Sequence, residues 1–461
     1  MDKNNYKNVY FVGVGGIGMA ALARYYLSKG WKVAGYDRTR TELTDELAAE
    51  GVEVSYEDSA EAIPSYCRSK EDTLVVYTPA VPASHPALCY FRENGFDVMK
   101  RAQVLGLITH DSKGLCFSGT HGKTTTSSMA AHILHSSPIG CNAFLGGILR
   151  NYDSNFLLDS SSPYTVIEAD EFDRSFHWLN PYMAVVTATD PDHLDIYGTE
   201  EAYLESFAHF TELIRAGGVL LCHTGLKLKP RPQQGVTVYG YSRDEGDFHA
   251  ENIRKGNGEI VFDFVAPDTT IRDVSLGVPV DINIENAVAA MAICHLAGVS
   301  DAVMRDAIGT FLGAKRRFEF WLKESGENGK VVIDDYAHHP DELKASIRSV
   351  KDLYPDKELT VVFQPHLYSR TRDFAPQFAE ALSHADNVIL LDIYPAREQP
   401  IAGVTSELIF KDIKCKSKML CKKENLVKTI KNYNFDVLLT AGAGDVCNYL
   451  PSICEAIKER R

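Results

Sequence analysis

The stretch Ser118-Gly-Thr-His-Gly-Lys-Thr-Thr-Thr126 constrains this 461-residue chain more than any other. It follows a short apolar run, Leu115-Cys116-Phe117, that reads as a buried strand. It precedes Ser127 to Leu134, whose apolar spacing predicts a helix. Strand, glycine-rich turn and helix together form the setting of a phosphate-binding loop. In such a loop Gly119 and Gly122 let backbone N–H groups turn inward around phosphate oxygens. Lys123 adds a mobile positive charge, and the Thr124 hydroxyl can coordinate a magnesium ion. The loop is shorter than the usual GxxxxGK[ST], because Phe117 stands five positions before Gly122. A plain glycine turn into a helix has no need of the Lys-Thr pair at its exit.

Length and charge bound what surrounds the loop. At roughly 100 to 200 residues per domain the chain has room for about three domains, each with a real core. The formal charge is 48 minus 62, or -14, which argues against nucleic acid or an anionic membrane surface as partner. Any anionic ligand must therefore be held by local basic groups. Ten cysteines are scattered without a CxxC pair, as expected of reduced thiols in a cytoplasmic protein. Neither a signal peptide nor an apolar run of membrane-spanning length is expected.

Taken in order, Asn8 to Val12 reads as a strand, Gly13-Val-Gly-Gly-Ile-Gly18 as a turn, and Met19 to Lys29 as a helix. A second strand, Trp31 to Tyr36, ends in Asp37, the place of a ribose-binding carboxylate in a dinucleotide fold. Alone this predicts NAD, yet the same loop serves any pyrophosphate lying on a helix N-terminus. Strands at Thr73–Tyr77 and Gly95–Met99 complete an open parallel sheet of about five strands, ending near residue 110 at a polar linker, Thr109 to Gly114.

Beyond the phosphate loop, Tyr164 to Glu168 reads as a strand ending in the acidic run Glu168-Ala-Asp170-Glu171-Phe-Asp173. A carboxylate there, Glu168 first, is where a second magnesium ligand belongs, and so many acids need a cation or basic group nearby. Met183 to Thr187 leads into Thr189-Asp-Pro-Asp-His193-Leu-Asp195, where His193 stands ready for a metal or a phosphate. A helix from Glu200 to Ala216, a strand from Val219 to His223, antiparallel strands between Tyr239 and Val274, and an apolar helix opened by Asn283 to Ala290 follow. After Lys315-Arg316-Arg317 come four strands whose C-terminal ends carry polar clusters: Asp335-Tyr-Ala-His338-His339, Gln364-Pro-His366-Leu-Tyr-Ser-Arg370, Asp392, and Thr440 to Asp445. That edge is where open α/β sheets bind ligands.

The ordered motifs GVGGIG, GTHGKTTT, VIEADEFD, DPDHLDIYG, KRRFE, DDYAHHP and FQPHLYSRT closely resemble the Mur ligases over residues 8 to about 445. The resemblance implies an α/β fold of three domains. These are an N-terminal Rossmann-like UDP-binding domain (1–110), a central P-loop ATPase-like α/β domain (111–313) and a C-terminal Rossmann-like domain that contacts amino acid and ATP (314–461). It implies an ATP- and magnesium-dependent ligase joining L-alanine to the lactyl carboxylate of UDP-N-acetylmuramate through an acyl phosphate. The alternative acceptor is the tripeptide L-Ala-γ-D-Glu-meso-diaminopimelate. Gly15, Gly16, Ile17, Gly18 and Asp37, with His338 and Arg370, would bind substrate. Gly119, Thr120, His121, Gly122, Lys123, Thr124, Thr125, Asn286, Arg317 and Asp335 would bind ATP. Lys123, Glu168, His193 and Arg317 would carry catalysis, with Thr124, Glu168 and His193 as magnesium ligands. The expected state is a monomer or weak homodimer in the cytoplasm.

The chain departs from the family pattern at Ile282, where His is usual, at Leu367, where Arg is typical, and at Arg397, where Gly is common. No lysine stands near Ala208, the place where some relatives carry a carbamylated lysine, which agrees with the alanine-adding type. A nicotinamide-dependent oxidoreductase would explain GVGGIG and Asp37 but leave GTHGKTTT without a task. A non-catalytic nucleotide-binding regulator would keep the loop with no need of Glu168, His193 and Arg317 together.

Overall fold

The structure, a computed structural model, describes residues 6–256, 258–324, 326, 329–396 and 398–459, with Leu194 and Asp195 as backbone only. The departure at Arg397 lies outside the described residues. The chain divides into two compact units. The first holds everything described up to Glu251 with Phe264–Ile271 and Glu285–Ile308; the second holds Asn252–Asp263, Arg272–Ile284 and everything described from Gly309 onward.

The first unit contains two sheets. Five parallel strands run in the order Glu53–Ser55, Lys32–Tyr36, Asn8–Val12, Thr73–Tyr77 and Val98–Lys100. The central strand Asn8–Val12 is buried along its whole length, as a parallel strand covered on both faces must be. A seven-stranded sheet follows, in the order Thr237–Tyr241, Val219–His223, Met183–Val186, Lys113–Ser118, Tyr164–Glu168, Asn142–Leu149 and Ser154–Leu157. It is parallel except for its last pair. Lys113–Ser118 is its middle strand, so the phosphate loop leaves from the centre of the sheet.

One apolar cluster joins the two sheets. The helix Ile17–Ser28 buries Met19, Leu22 and Tyr26 against the first sheet, and its Tyr25 ring lies 5.6 Å from Phe144 of the second. The same cluster holds Phe11, Ile167, Val186 and Phe207. Each such side chain contributes about 1.5–3 kcal/mol on burial. This shared core welds the first two expected domains into one unit.

The polar linker expected at Thr109 to Gly114 is instead regular structure. The helix Arg101–Asp111 runs to within one residue of the strand Lys113–Ser118. Thr109 is buried, and its hydroxyl donates to the carbonyls of Leu105 and Gly106 at 3.0 Å, so a residue that looked loop-forming satisfies itself inside the helix. A second expectation also changes: Tyr239 belongs to the strand Thr237–Tyr241, which pairs parallel with Val219–His223. Thr237–Tyr241 is a sheet edge, largely exposed over its first residues, and such an edge reads like half of a hairpin. Only His249–Gly256, Glu259–Val265 and Thr270–Ser275 form the separate three-stranded sheet.

The second unit is built on six strands in the order Glu319–Lys323, Val331–Asp335, Val437–Ala441, Leu359–Phe363, Asn387–Leu391 and Ser417–Cys421. Only the first pair is antiparallel. The central strands are fully buried over Leu359–Phe363, Asn387–Leu391 and Val437–Ala441. Asp334 is enclosed among them, with Thr440 Oγ1 donating to its Oδ1 at 2.5 Å and Arg316 Nε 3.6 Å from Oδ2. Burial pushes its carboxyl up to about 6, against Thr440 and Arg316, which favour the charged form. A carboxyl raised on folding contributes stability that is full below its unfolded value and lost as pH climbs through the folded one. The stability of the wild-type chain relative to Asp334→Asn should therefore fall by roughly 2 kcal/mol between pH 4.5 and 7.5. Urea unfolding of both proteins at the two pH values measures it; no change in the difference would contradict the burial argument.

Candidate functional site

The loop from Ser118 to Lys123 is drawn against the end of its neighbouring strand. Thr120 N donates to Ala188 O at 3.0 Å, and the Thr120 hydroxyl reaches Asp190 O at 2.7 Å. Thr187 Oγ1 donates toward Ser118 O at 3.1 Å and His121 O at 2.5 Å. Gly119 (φ +136°) and Gly122 (φ +82°) sit where L side chains are rare. A Cβ on Gly119 would lie 2.1 Å from Thr187 Oγ1, and one on Gly122 would lie 2.8 Å from Asn286 Oδ1. Asn286 also meets Thr126, whose hydroxyl is 3.2 Å from the same oxygen, so this candidate does stand beside the loop.

Lys123 opens the helix Lys123–His135 and turns its Nζ back to Gly119 O at 2.6 Å and to Glu171 at 2.8–2.9 Å. Glu171 is only 1% exposed. Burial raises its carboxyl pKa, and Lys123 pulls it back. Sequence reasoning picks Glu168 from the acidic run and passes over Glu171; the usable signal is the four acids in six positions, which require cations close by. Those cations are present: Lys123 takes Glu171, and Lys100 takes Asp173 at 3.0 Å.

Glu168 accepts from Gly146 N at 3.1 Å through Oε2. Its approach requires Gly146, since a Cβ there would lie 2.3 Å from the same oxygen. His193 stands at φ +52°, and its Nε2 is 3.6 Å from Asp192 Oδ2. Its ring meets Phe172 edge-on at 5.2 Å. Asp173 and Arg174, in the turn after Glu171, also have positive φ, at 50° and 55°. Non-glycine residues rarely adopt this conformation, and it concentrates at ligand-binding turns. Among the described residues no group of three or more His, Cys, Asp and Glu side chains stands ready for a metal. The candidate set Thr124, Glu168 and His193 contains two such groups and a hydroxyl.

On the first sheet, Gly15 N donates to Asp37 Oδ2 at 2.7 Å, and Thr39 N donates to Oδ1 at 3.1 Å. Asp37 thus holds the glycine turn in shape. Ile17 is 43% exposed at the head of its helix, beside Gly16 and Gly18.

In the second unit the adjacent arginines separate. Arg316 donates to Gly442 O at 2.5 Å and lies over the Tyr336 ring at 4.8 Å, a framework role. Arg317 is exposed, and its charge lowers the pKa of Asp335, against a larger rise from burial. Ser346 Oγ donates to Asp335 Oδ2. His338 Nδ1 lies 2.9 Å from Tyr336 O, and its ring is 6.2 Å from that of His366. Arg370 Nη1 is 3.5 Å from His366 Nδ1, and His366 stacks on Tyr394 at 5.8 Å. Burial, with Arg370 and His338, lowers the His366 pKa. His338 and Arg370 are therefore brought together through His366, a residue of the FQPHLYSRT motif that sequence reasoning leaves without a role. Leu367, where the family pattern has Arg, stands at φ +71° with its N–H on Tyr394 O at 3.0 Å.

The chain is similar to known proteins over nearly its whole length. Three family models match in succession: "Mur ligase family, catalytic domain" over residues 8–113, "Mur ligase middle domain" over 117–294 and "Mur ligase, glutamate ligase domain" over 316–446. The UDP-N-acetylmuramate--L-alanine ligase of Phocaeicola vulgatus is 59% identical over 462 residues, covering 100% of both chains. The protein of the same description from Parabacteroides distasonis is 58% identical, covering 100% of this chain and 98% of its own. A crystal structure of UDP-N-acetylmuramate-alanine ligase from Thermotoga maritima matches with a TM-score of 0.79 at 26% identity, over 98% of this chain and 100% of that one. A murein peptide ligase from Psychrobacter arcticus shares the fold at a TM-score of 0.61 and 21% identity, over 98% of each chain. By three consecutive domain matches and full-length likeness to its relatives, the chain belongs to the Mur ligase family.

Proposed function

We propose that this chain joins L-alanine to the lactyl carboxylate of UDP-N-acetylmuramate at the expense of ATP, in cytoplasmic peptidoglycan precursor synthesis. The observation that carries this reading is the full-length identity, 59% and 58%, to two proteins described as UDP-N-acetylmuramate--L-alanine ligases. The phosphate loop supplies the chemistry such a ligase needs. The tripeptide-attaching alternative is less supported, because its solved relative from Psychrobacter arcticus shares the fold alone.

The division of labour follows the three domains expected at 1–110, 111–313 and 314–461. Gly15, Gly16, Ile17 and Gly18 bind the pyrophosphate of the sugar nucleotide, with Asp37 shaping their turn. Gly119, Thr120, His121, Gly122, Lys123, Thr124 and Thr125 cradle the ATP phosphates, and Asn286 meets the adenine. A lactyl carboxylate oxygen attacks the γ-phosphorus, the bond to the β,γ-bridging oxygen breaks, and ADP leaves. The amine of L-alanine then attacks the acyl carbon, loses a proton, and expels phosphate from the tetrahedral intermediate. Both steps gather negative charge, which Lys123 and the loop N–H groups offset without reorganisation. Arg317 and Asp335 are assigned to ATP, and His338 and Arg370 to the substrates, by family resemblance. A monomer or weak homodimer suffices for this chemistry.

Magnesium fits the donors present. The Thr124 hydroxyl makes no hydrogen bond among the described residues, and Glu168 has one oxygen, Oε1, without a hydrogen bond there. Hydroxyl and carboxylate are the hard oxygen ligands this ion prefers, with His193 as the third candidate. When bound, magnesium supplies positive charge to the phosphoryl group in transit.

Phosphate release by the purified protein with ATP, magnesium and UDP-N-acetylmuramate should depend on L-alanine. Release only with L-Ala-γ-D-Glu-meso-diaminopimelate would contradict the assignment and favour the recycling reaction. Lys123→Ala should lower turnover by about 100-fold or more while leaving the affinity for UDP-N-acetylmuramate unchanged. Steady-state kinetics and calorimetry on that variant read the two separately; equal loss of both would contradict the division of labour.

A further inference from the structure

Arg101 opens the helix Arg101–Asp111 and folds its side chain against the end of the glycine turn. A Cβ on Gly18 would lie 2.8 Å from its Nη1 and 3.2 Å from its Cδ and Cζ. The last glycine of GVGGIG is thus the space in which this guanidinium sits. The carboxylates of Glu168 and Asp170 attract its charge, against a larger desolvation cost. Among the described residues it makes no hydrogen bond and no ion pair within 4 Å, whereas its neighbour Lys100 is paired with Asp173 at 3.0 Å. Guanidinium carries five donors in a fixed fork, and leaving them unused in a desolvated place is costly. Next to it, the N–H groups of Ile17 and Gly18, in the first turn of their helix, also lack partners among the described residues.

We propose that Arg101 takes the pyrophosphate of the sugar nucleotide, closing the anion site begun by the glycine turn. The proposal rests on the function given above. A pyrophosphate lying on the helix N-terminus presents paired oxygens to the fork and two negative charges to a desolvated cation. The lactyl carboxylate is the other anion on the same ligand, but it has to approach the phosphoryl donor at Lys123 rather than Gly18. The negative charges of Glu168 and Asp170 favour the charged guanidinium before substrate arrives. Gly18 is accordingly a residue that makes room for a side chain from another element.

The test is calorimetric binding of UDP-N-acetylmuramate and of UDP-N-acetylglucosamine, which lacks the lactyl group, to the full chain as wild type, Arg101→Gln and Arg101→Lys. Arg101→Gln should weaken both ligands alike, by about 10- to 100-fold, and raise the KM for UDP-N-acetylmuramate while leaving that for ATP unchanged. Arg101→Lys, which keeps the charge without the fork, should recover part of the affinity for both. Unchanged affinities would overturn the proposal, as would a loss confined to UDP-N-acetylmuramate, which moves the contact to the lactyl carboxylate. Should Arg101→Gln fail to fold, Arg101→Lys decides: wild-type affinity for both ligands in that variant also overturns it. Wild-type protein inactive with L-alanine would sink the functional reading itself. Active wild type with normal Arg101 variants sinks this inference alone.

Discussion

The buried contact between Lys123 and Glu171 is the constraint on which the candidate site depends. Two opposite charges taken out of water cost several kcal/mol each, and they repay it only with close geometry and further hydrogen bonds. The geometry is close and the lysine has a further acceptor: Lys123 lies within 2.9 Å of the carboxylate and 2.6 Å of Gly119 O. Gly119 must then sit at φ +136°, and the loop closes onto Thr187 and Ala188. The ammonium is fixed at the head of its helix before any phosphate arrives, as preorganised electrostatic stabilisation requires. Removal of Glu171 alone would strand a desolvated cation.

The same logic extends outward from that pair. The acidic run at the end of Tyr164–Glu168 is held together by cations from different parts of the first unit: Lys123 from the phosphate loop, and Lys100 from the end of the first sheet. Arg101 adds a third charge nearby. The shared apolar core around Tyr25, Phe144 and Phe156 keeps these elements in register, so the glycine turn and the phosphate loop belong to one body. Under the proposed assignment, a sugar nucleotide at one and ATP at the other would meet in fixed geometry within that body.

Much of this was legible in the sequence where local pattern and global fold agree. The strands Asn8–Val12 and Tyr164–Glu168 are apolar runs ending at glycine or charge, Thr73–Tyr77 is one that runs into a proline-bearing loop, and with the loop after Phe117 they form as read. What escaped depended on long-range contacts. Thr109 looked like linker because its hydroxyl's satisfaction by Leu105 and Gly106 is visible only in the folded helix. Tyr239 looked like a hairpin strand because a parallel edge alternates in the same way. Glu171 was indistinguishable from Glu168 by position along the chain. Which acid faces the lysine and which faces Gly146 shows only in the folded chain, where Glu171 meets Lys123 and Glu168 meets Gly146. Likewise nothing in KRRFE told Arg316, held by Gly442 and Asp334, from the exposed Arg317.

The central claim is that a substrate carboxylate, activated at the Lys123 loop, receives the γ-phosphoryl group before the amine attacks. The direct measurement uses UDP-N-acetylmuramate carrying ¹⁸O in its lactyl carboxylate, with mass analysis of the phosphate released in the presence of ATP and L-alanine. Transfer through an acyl phosphate leaves one carboxylate oxygen on that phosphate, so the label should appear there at one atom per turnover. Unlabelled phosphate, with one ¹⁸O in the amide and the other lost to water, would contradict the account.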